Sequence, residues 1–137
     1  MLAHVSVAPV ARIGIALVDG DASVRRDRQL MLGAENFDVR SYATCAAMIA
    51  DPNARSITCL IVDMDMPEIG GIALLRKMRS AGWRGCGIVL RSSGSVDMTT
   101  GPEMPEDIVL PKTIADRPLL DAIRSILDQN EAHPFDA

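Results

Sequence analysis

The sequence predicts an α/β protein, a doubly wound five-stranded parallel sheet covered on both faces by helices in three α/β/α layers. Three observations carry that expectation. Short apolar runs alternate with helix-forming stretches five times along the chain. The connections are too short for anything but crossovers, which are right-handed and lay helices on both sides of a sheet. Several of the apolar runs also break abruptly into charged or hydroxyl residues, as covered strands do when they empty into functional loops.

Residues 1 to about 11 show no clear period and read as an N-terminal arm, residues 12–128 as the domain, and residues 129–137 as a polar, frayed tail. The first strand is Ile13 to Val18, broken at Asp19, Gly20 and Asp21. Ser23 is placed to cap a helix reaching about Leu32, with Gly33 as its stop and a thin stripe of Val24 and Met31 beside Leu30 and Leu32. Phe37, Val39 and Ser41 alternate with Asp38, Arg40 and Tyr42, the pattern of an exposed edge strand. Thr44 caps a short helix over Ala46 to Ala50, with Met48 and Ile49 for the core and Pro52 as its end.

The stretch CLIVDMDMPEIGG from Cys59 to Gly71 is the centre of the chain, a buried strand that ends in Asp63 and Asp65. After Gly71 a helix turns Ile72, Leu75 and Met78 inward and Arg76, Lys77 and Arg79 toward water, and ends at Gly82. Gly87 to Leu90 is a further buried strand, followed by Arg91, Ser92 and Ser93. The segment from Gly94 to Asp107 holds two glycines and two prolines, so the fourth and fifth strands are expected to be joined by a short or irregular connection, mobile for lack of core anchors. Ile108 to Leu110 is the last strand. Asp116 then caps a helix with Pro118 in its first turn and a 3.6-period stripe of Leu119, Leu120, Ile123, Ile126 and Leu127.

Bulk properties exclude several functions. With 137 residues, 48% of them apolar, the chain is expected to form one domain with one core. A charged fraction of 23% with net charge −4 gives no footprint for nucleic acid or for an anionic membrane surface. Cys45, Cys59 and Cys86 lie in apolar runs, so they read as core residues of a reducing compartment, without a disulfide or zinc site. His4 and His133 lie near the termini, which leaves no internal histidine for a triad or metal cluster. The apolar start is interrupted by Pro9 and Arg12 and lacks a basic n-region, so no signal peptide is expected. No run approaches the roughly 20 apolar residues of a membrane helix, and the expected location is the cytoplasm.

A sheet of this kind gathers Asp19, Asp21, Asp63, Asp65, Ser92 and Lys112 at its carboxyl edge. In that order and spacing, LVDGD followed by Arg25, LIVDMDMP with Gly71 four residues beyond the proline, Ser92 after a strand and Lys112 after the last strand resemble the CheY-like receiver domain of two-component response regulators. The resemblance covers about residues 12 to 128 and implies a flavodoxin-like fold. It implies that Asp63 is the phosphoacceptor, fed by a histidine kinase or a histidine phosphotransfer protein. Mg²⁺ would be held by Asp19, Asp63 and the backbone carbonyl of Asp65, with Asp21 as a substitute ligand. Ser92 and Lys112 would sense the phosphoryl oxygens. The readout would be a contact with a downstream protein, and a second copy of the chain is a further candidate partner. These roles suit phosphoryl transfer, which needs an in-line nucleophile, a divalent ion and donors for the equatorial oxygens.

The sequence also departs from the family's pattern. Gly20 stands where a second adjacent acid is usual, Val109 where an aromatic residue is common, and Thr113 where a proline normally follows the lysine. Two alternatives follow: a pseudo-receiver scaffold that does not depend on phosphate, and a phosphatase of the haloacid-dehalogenase type, whose DxD loop LIVDMDMP partly resembles. The second lacks further acidic motifs and sufficient length.

Overall fold

The computed structural model describes residues 12–92 and 107–132. Its five parallel strands are β1 (Gly14–Val18), β2 (Asp38–Tyr42), β3 (Cys59–Asp63), β4 (Cys86–Arg91) and β5 (Ile108–Pro111), in the order β2-β1-β3-β4-β5. Among the described residues four helices connect or follow them: α1 (Ala22–Ala34), α2 (Cys45–Ala50), α3 (Gly71–Ser80) and α4 (Asp116–Ala132). A 3₁₀ turn over Pro52–Ser56 leads from α2 into β3.

The period-two geometry of the strands divides the core into two layers. Ile15, Leu17, Cys59, Ile61, Ile88 and Leu90 pack with Leu32 of α1 and with Leu119 and Ile123 of α4. Ala16, Val18, Leu60, Val62 and Val89 pack with Met48 of α2 and with Leu74, Leu75 and Met78 of α3. β3, sheltered on both faces, is buried at all five residues. β2 is an edge strand, as its alternation predicts.

Several local expectations are corrected by packing and capping. Asp21, not Ser23, caps α1: its carboxylate accepts from the amides of Ser23 and Val24. Gly33 lies inside α1, and the turn falls at Asn36 (φ 73°), a residue type that tolerates the left-handed region. Ile49 is 43% exposed, because a six-residue helix offers the sheet one narrow face, filled by Cys45 and Met48. Pro52 opens the 3₁₀ turn rather than ending α2, its fixed φ suiting a first helical position. Arg79 does not face water; it pairs with the buried Asp107. Asp116 is the first residue of α4 rather than its cap, and Ala115 supplies the carbonyl that Leu119 N–H reaches. α4 also continues past Gln129 to Ala132. The proposed arm and the irregular character of the β4–β5 connection lie outside the described residues, apart from Asp107.

Asp107 and Arg79 form an enclosed polar cluster at the amino edge of the sheet. The Asp107 carboxylate accepts from both Arg79 terminal nitrogens at 2.6 Å and from Gly87 N–H at 2.8 Å. Arg79 also donates to the Gly85 carbonyl at 3.2 Å and lies 5.3 Å from the centre of the Trp83 ring. This cluster ties α3, β4 and the residue before β5 together.

Candidate functional site

The site is built by register. Val18 of β1 pairs with Val62 of β3, so the next residues, Asp19 and Asp63, leave neighbouring strands side by side at the carboxyl edge. Both carboxylates are almost wholly buried, Asp19 at 1% and Asp63 at 5% exposure. Two buried acids require compensation, because an unpaired charge in a low-dielectric setting is costly. Each has it. Lys112 Nζ pairs with Asp63 Oδ2, and the guanidinium of Arg28 lies 3.8 Å from Asp19 Oδ2.

Lys112 follows β5, and its own N–H donates to the carbonyl of Arg91 at 2.8 Å, which holds the turn against the end of β4. The hydrogen bond to Asp63 holds the Lys112 ammonium above its usual pKa, so it is fully charged at neutral pH. Asp63 Oδ1 accepts from Asp65 N–H at 3.0 Å. Thus both oxygens of the proposed phosphoacceptor are oriented before any ligand arrives. Gly71 is required here: a Cβ at that position would lie 2.9 Å from the Asp63 carbonyl oxygen, so only glycine lets α3 start so close to the end of β3.

The other sequence-predicted residues are placed differently. Ser92 donates to the side chain of Asp65, Oγ to Oδ2 at 3.0 Å. Asp65 is exposed, with its side chain turned to Ser92. Asp21 N–H donates to Asp19 Oδ1 at 2.9 Å while the Asp21 carboxylate is committed to the start of α1. Gly20 is exposed, and a Cβ there would meet nothing within 4 Å. Val109 is half-buried and packs on the α2/α3 side of the sheet. Nearby Cys45 is no alternative nucleophile: burial and the Asp63 charge push its thiol up to about 11.

Arg28 is the site residue that sequence reasoning missed. Its Nη2 donates to the Lys112 carbonyl at 2.8 Å, and its Nη1 faces Asp19 Oδ2; neither of these last two atoms has a hydrogen-bond partner. Arg25 supports the same loop through the Asp19 carbonyl, at 2.7 Å. A signal was available: Val24 and Leu32 lie eight residues apart on one stripe of α1, and position 28 between them calls for an apolar residue. The stripe reads as thin because an arginine occupies its middle.

The chain belongs to the response regulator receiver domain family, whose model matches residues 15–124, and a covered parallel sheet with two buried acids and a lysine at its carboxyl edge accords with that class. Its curated relatives include the transcriptional regulatory protein CpxR of Klebsiella pneumoniae, 32% identical over 117 residues, covering 82% of this chain and 48% of that protein. Another is the transcriptional regulatory protein FixJ of Azorhizobium caulinodans, 23% identical with coverage of 85% and 56%. The chain spans about half the length of these relatives. Among solved structures, a receiver domain protein of Clostridium thermocellum superposes with TM-score 0.73 at 21% identity, covering 88% of this chain and 98% of that one. The chemotaxis protein CheY4 of Vibrio cholerae gives TM-score 0.73 at 19% identity, with coverage of 85% and 99%. These likenesses establish the CheY-like, flavodoxin-type fold. Receiver domains are signalling domains rather than classical enzymes; they work with histidine kinases and downstream targets and typically bind Mg²⁺ at the acidic phosphorylation site.

Among the described residues no group of three or more acidic, histidine or cysteine side chains is gathered as a metal cluster. Magnesium does not need one, since it commonly takes one or two carboxylates and keeps several waters. Asp19 Oδ2 is a buried acceptor with no hydrogen-bond partner, and Asp63 lies beside it at the strand ends. The residues present therefore fit a sparse Mg²⁺ site. No described helix is long and apolar enough to cross a membrane.

Proposed function

We propose that this chain is a response regulator receiver that accepts a phosphoryl group on Asp63 from a histidine kinase or histidine phosphotransfer protein and signals through protein contacts. The observation that carries the reading is the buried Asp63 carboxylate held between Lys112 Nζ and Asp65 N–H. A carboxylate oxygen of Asp63 attacks phosphorus, the O–P bond forms, the N–P bond of the phosphohistidine breaks, and the imidazole nitrogen leaves with the bonding pair. Asp19, Asp63 and the Asp65 carbonyl would hold Mg²⁺, which would supply positive charge to offset that of the transferring group. Lys112 then exchanges its carboxylate partner for a phosphoryl oxygen, a charge-assisted contact of at least equal strength. Ser92 releases Asp65 and donates its hydroxyl to another phosphoryl oxygen. Asp21 keeps its cap on α1 throughout.

Intact mass after incubation with Mg²⁺ and a small phosphodonor tests the assignment. Wild type should gain one phosphoryl group and Asp63→Asn none; an adduct that persists in the variant would rule the assignment out. One observation favours a second reading, the phosphate-independent scaffold: Arg28 already lies against Asp19, the carboxylate a metal would use. Wild type that gains no mass under any Mg²⁺ concentration would support that reading.

A further inference from the structure

We propose that Arg28 is a built-in counter-ion of the acidic edge, one that competes with a divalent cation for Asp19 and so sets the metal affinity of the site. The inference rests on the reading that Asp19 is a metal ligand. Its basis is a balance of buried charge. Asp19 and Asp63 bring two negative charges to the strand ends, and Arg28 and Lys112 bring two positive ones. Arg28 is itself only 7% exposed, and it is anchored from the far side of the site by the Lys112 carbonyl.

The geometry is that of a placeholder rather than a finished salt bridge. Asp19 Oδ2 and Arg28 Nη1 are both buried and unpartnered, yet face each other at 3.8 Å, beyond hydrogen-bond range. The pair gains Coulomb attraction without the directional bond that would make it hard to displace. Any cation ligated by Asp19 Oδ2 must share that oxygen with a guanidinium 3.8 Å away. At an effective dielectric of about 20, repulsion between a unit and a divalent charge at such range is worth more than a decade in affinity. The two buried carboxylates are consequently each matched by a cation without metal. Its metal affinity is lowered by Arg28 as well as by the glycine at position 20.

Two measurements test this. The first is stability in EDTA for wild type, Arg28→Met, Asp19→Asn and the double variant. Arg28→Met leaves Asp19 buried and uncompensated, so its unfolding constant should rise by about a hundredfold or more. Adding Asp19→Asn should recover at least a tenfold part of that loss. If the double variant is no more stable than Arg28→Met, or if neither folds, Arg28 is a packing residue and the inference is overturned. If Arg28→Met alone fails to fold and the double variant folds, it is supported.

The second is calorimetric titration with Mg²⁺. Arg28→Met should bind about tenfold or more tightly than wild type, whereas Arg28→Lys, which keeps the charge but not the fork, should stay within about threefold of it. Equal or weaker binding by Arg28→Met overturns the competition. So does equal tightening in Arg28→Lys, which would place the effect in the lost Lys112 carbonyl bond. If neither wild type nor Arg28→Met binds Mg²⁺, the metal reading itself fails. Binding by both with equal affinity defeats the role of Arg28 alone.

Discussion

Removing the carboxylate of Asp107 should destabilise the domain by about 3 kcal/mol, toward the lower end of the range for breaking a buried ion pair. Asp107→Ala takes away both Arg79 contacts at 2.6 Å and the acceptor of Gly87 N–H at 2.8 Å. The Gly87 amide, in a fully covered strand, is left without a partner at a cost of about 1–3 kcal/mol. The Arg79 side chain is 16% exposed and keeps the Gly85 carbonyl and the Trp83 ring, so its charge is partly rehydrated rather than stranded. That partial recovery places the total near 3 kcal/mol rather than 5, or a melting temperature lower by roughly 10 °C for a domain of this size. The single tryptophan, Trp83, is 4% exposed and reports unfolding directly, so urea titration followed by its fluorescence is the assay. Asp107→Asn, which keeps an acceptor for Gly87, should fall between wild type and Asp107→Ala. A loss below about 1 kcal/mol in Asp107→Ala would refute the claim that this cluster holds α3 to the sheet. Since Asp107 lies at the edge opposite Asp63, the folded fraction should retain whatever phosphorylation wild type shows.

Other substitutions probe the acidic edge and its neighbours. Gly20→Asp has room, as nothing lies within 4 Å of its Cβ, and should tighten Mg²⁺ binding by about one to two decades; an unchanged titration would show that the second acid is not what this site lacks. Lys112→Ala should still fold, with some loss of stability because the buried Asp63 carboxylate loses its counter-ion, and should blunt any phosphorylation-dependent change in partner affinity. An unaltered response would mean that the lysine does not sense the phosphoryl group. Tyr42 is the only tyrosine, and burial together with its 2.6 Å hydrogen bond to Asp51 pushes its phenol up from 10.0 to about 12. With the folded value above the unfolded one, its contribution to stability is complete below pH 10 and is lost as pH rises through 12. Phenolate absorbance in the folded protein should therefore have its midpoint near 12, and Asp51→Ala should lower it; a midpoint at the free-tyrosine value would contradict the burial of the ring.

Much of the candidate site was legible because strands advertise themselves. A covered strand needs a continuous apolar run, so the residue that breaks the run marks the edge of the sheet: Asp19 after Val18, Asp63 after Val62, Lys112 after Pro111. Helix ends were less legible. The choice of Asp21 over Ser23 as the cap of α1 depends on where the chain leaves β1, and Ile49 is exposed because of how few residues α2 lays on the sheet. Such details are set by neighbours, not by local propensity.

The sequence by itself determined the parallel α/β fold, the central place of β3 and the strand-end positions of Asp19, Asp63 and Lys112, because period-two burial and run-breaking charges are local in the chain. Only the tertiary structure decided which polar side chains are buried, and against what. Arg28 meets the Lys112 carbonyl across 84 residues, and Arg79 meets Asp107 across 28. Read along its helix, Arg79 is an ordinary solvent-facing cation, and Arg28 interrupts an apolar stripe without the chain showing what it meets. Their burial follows from a carboxylate or carbonyl brought near by a different strand, and a buried charge is held by the partner it finds in space, which no local pattern in the chain encodes.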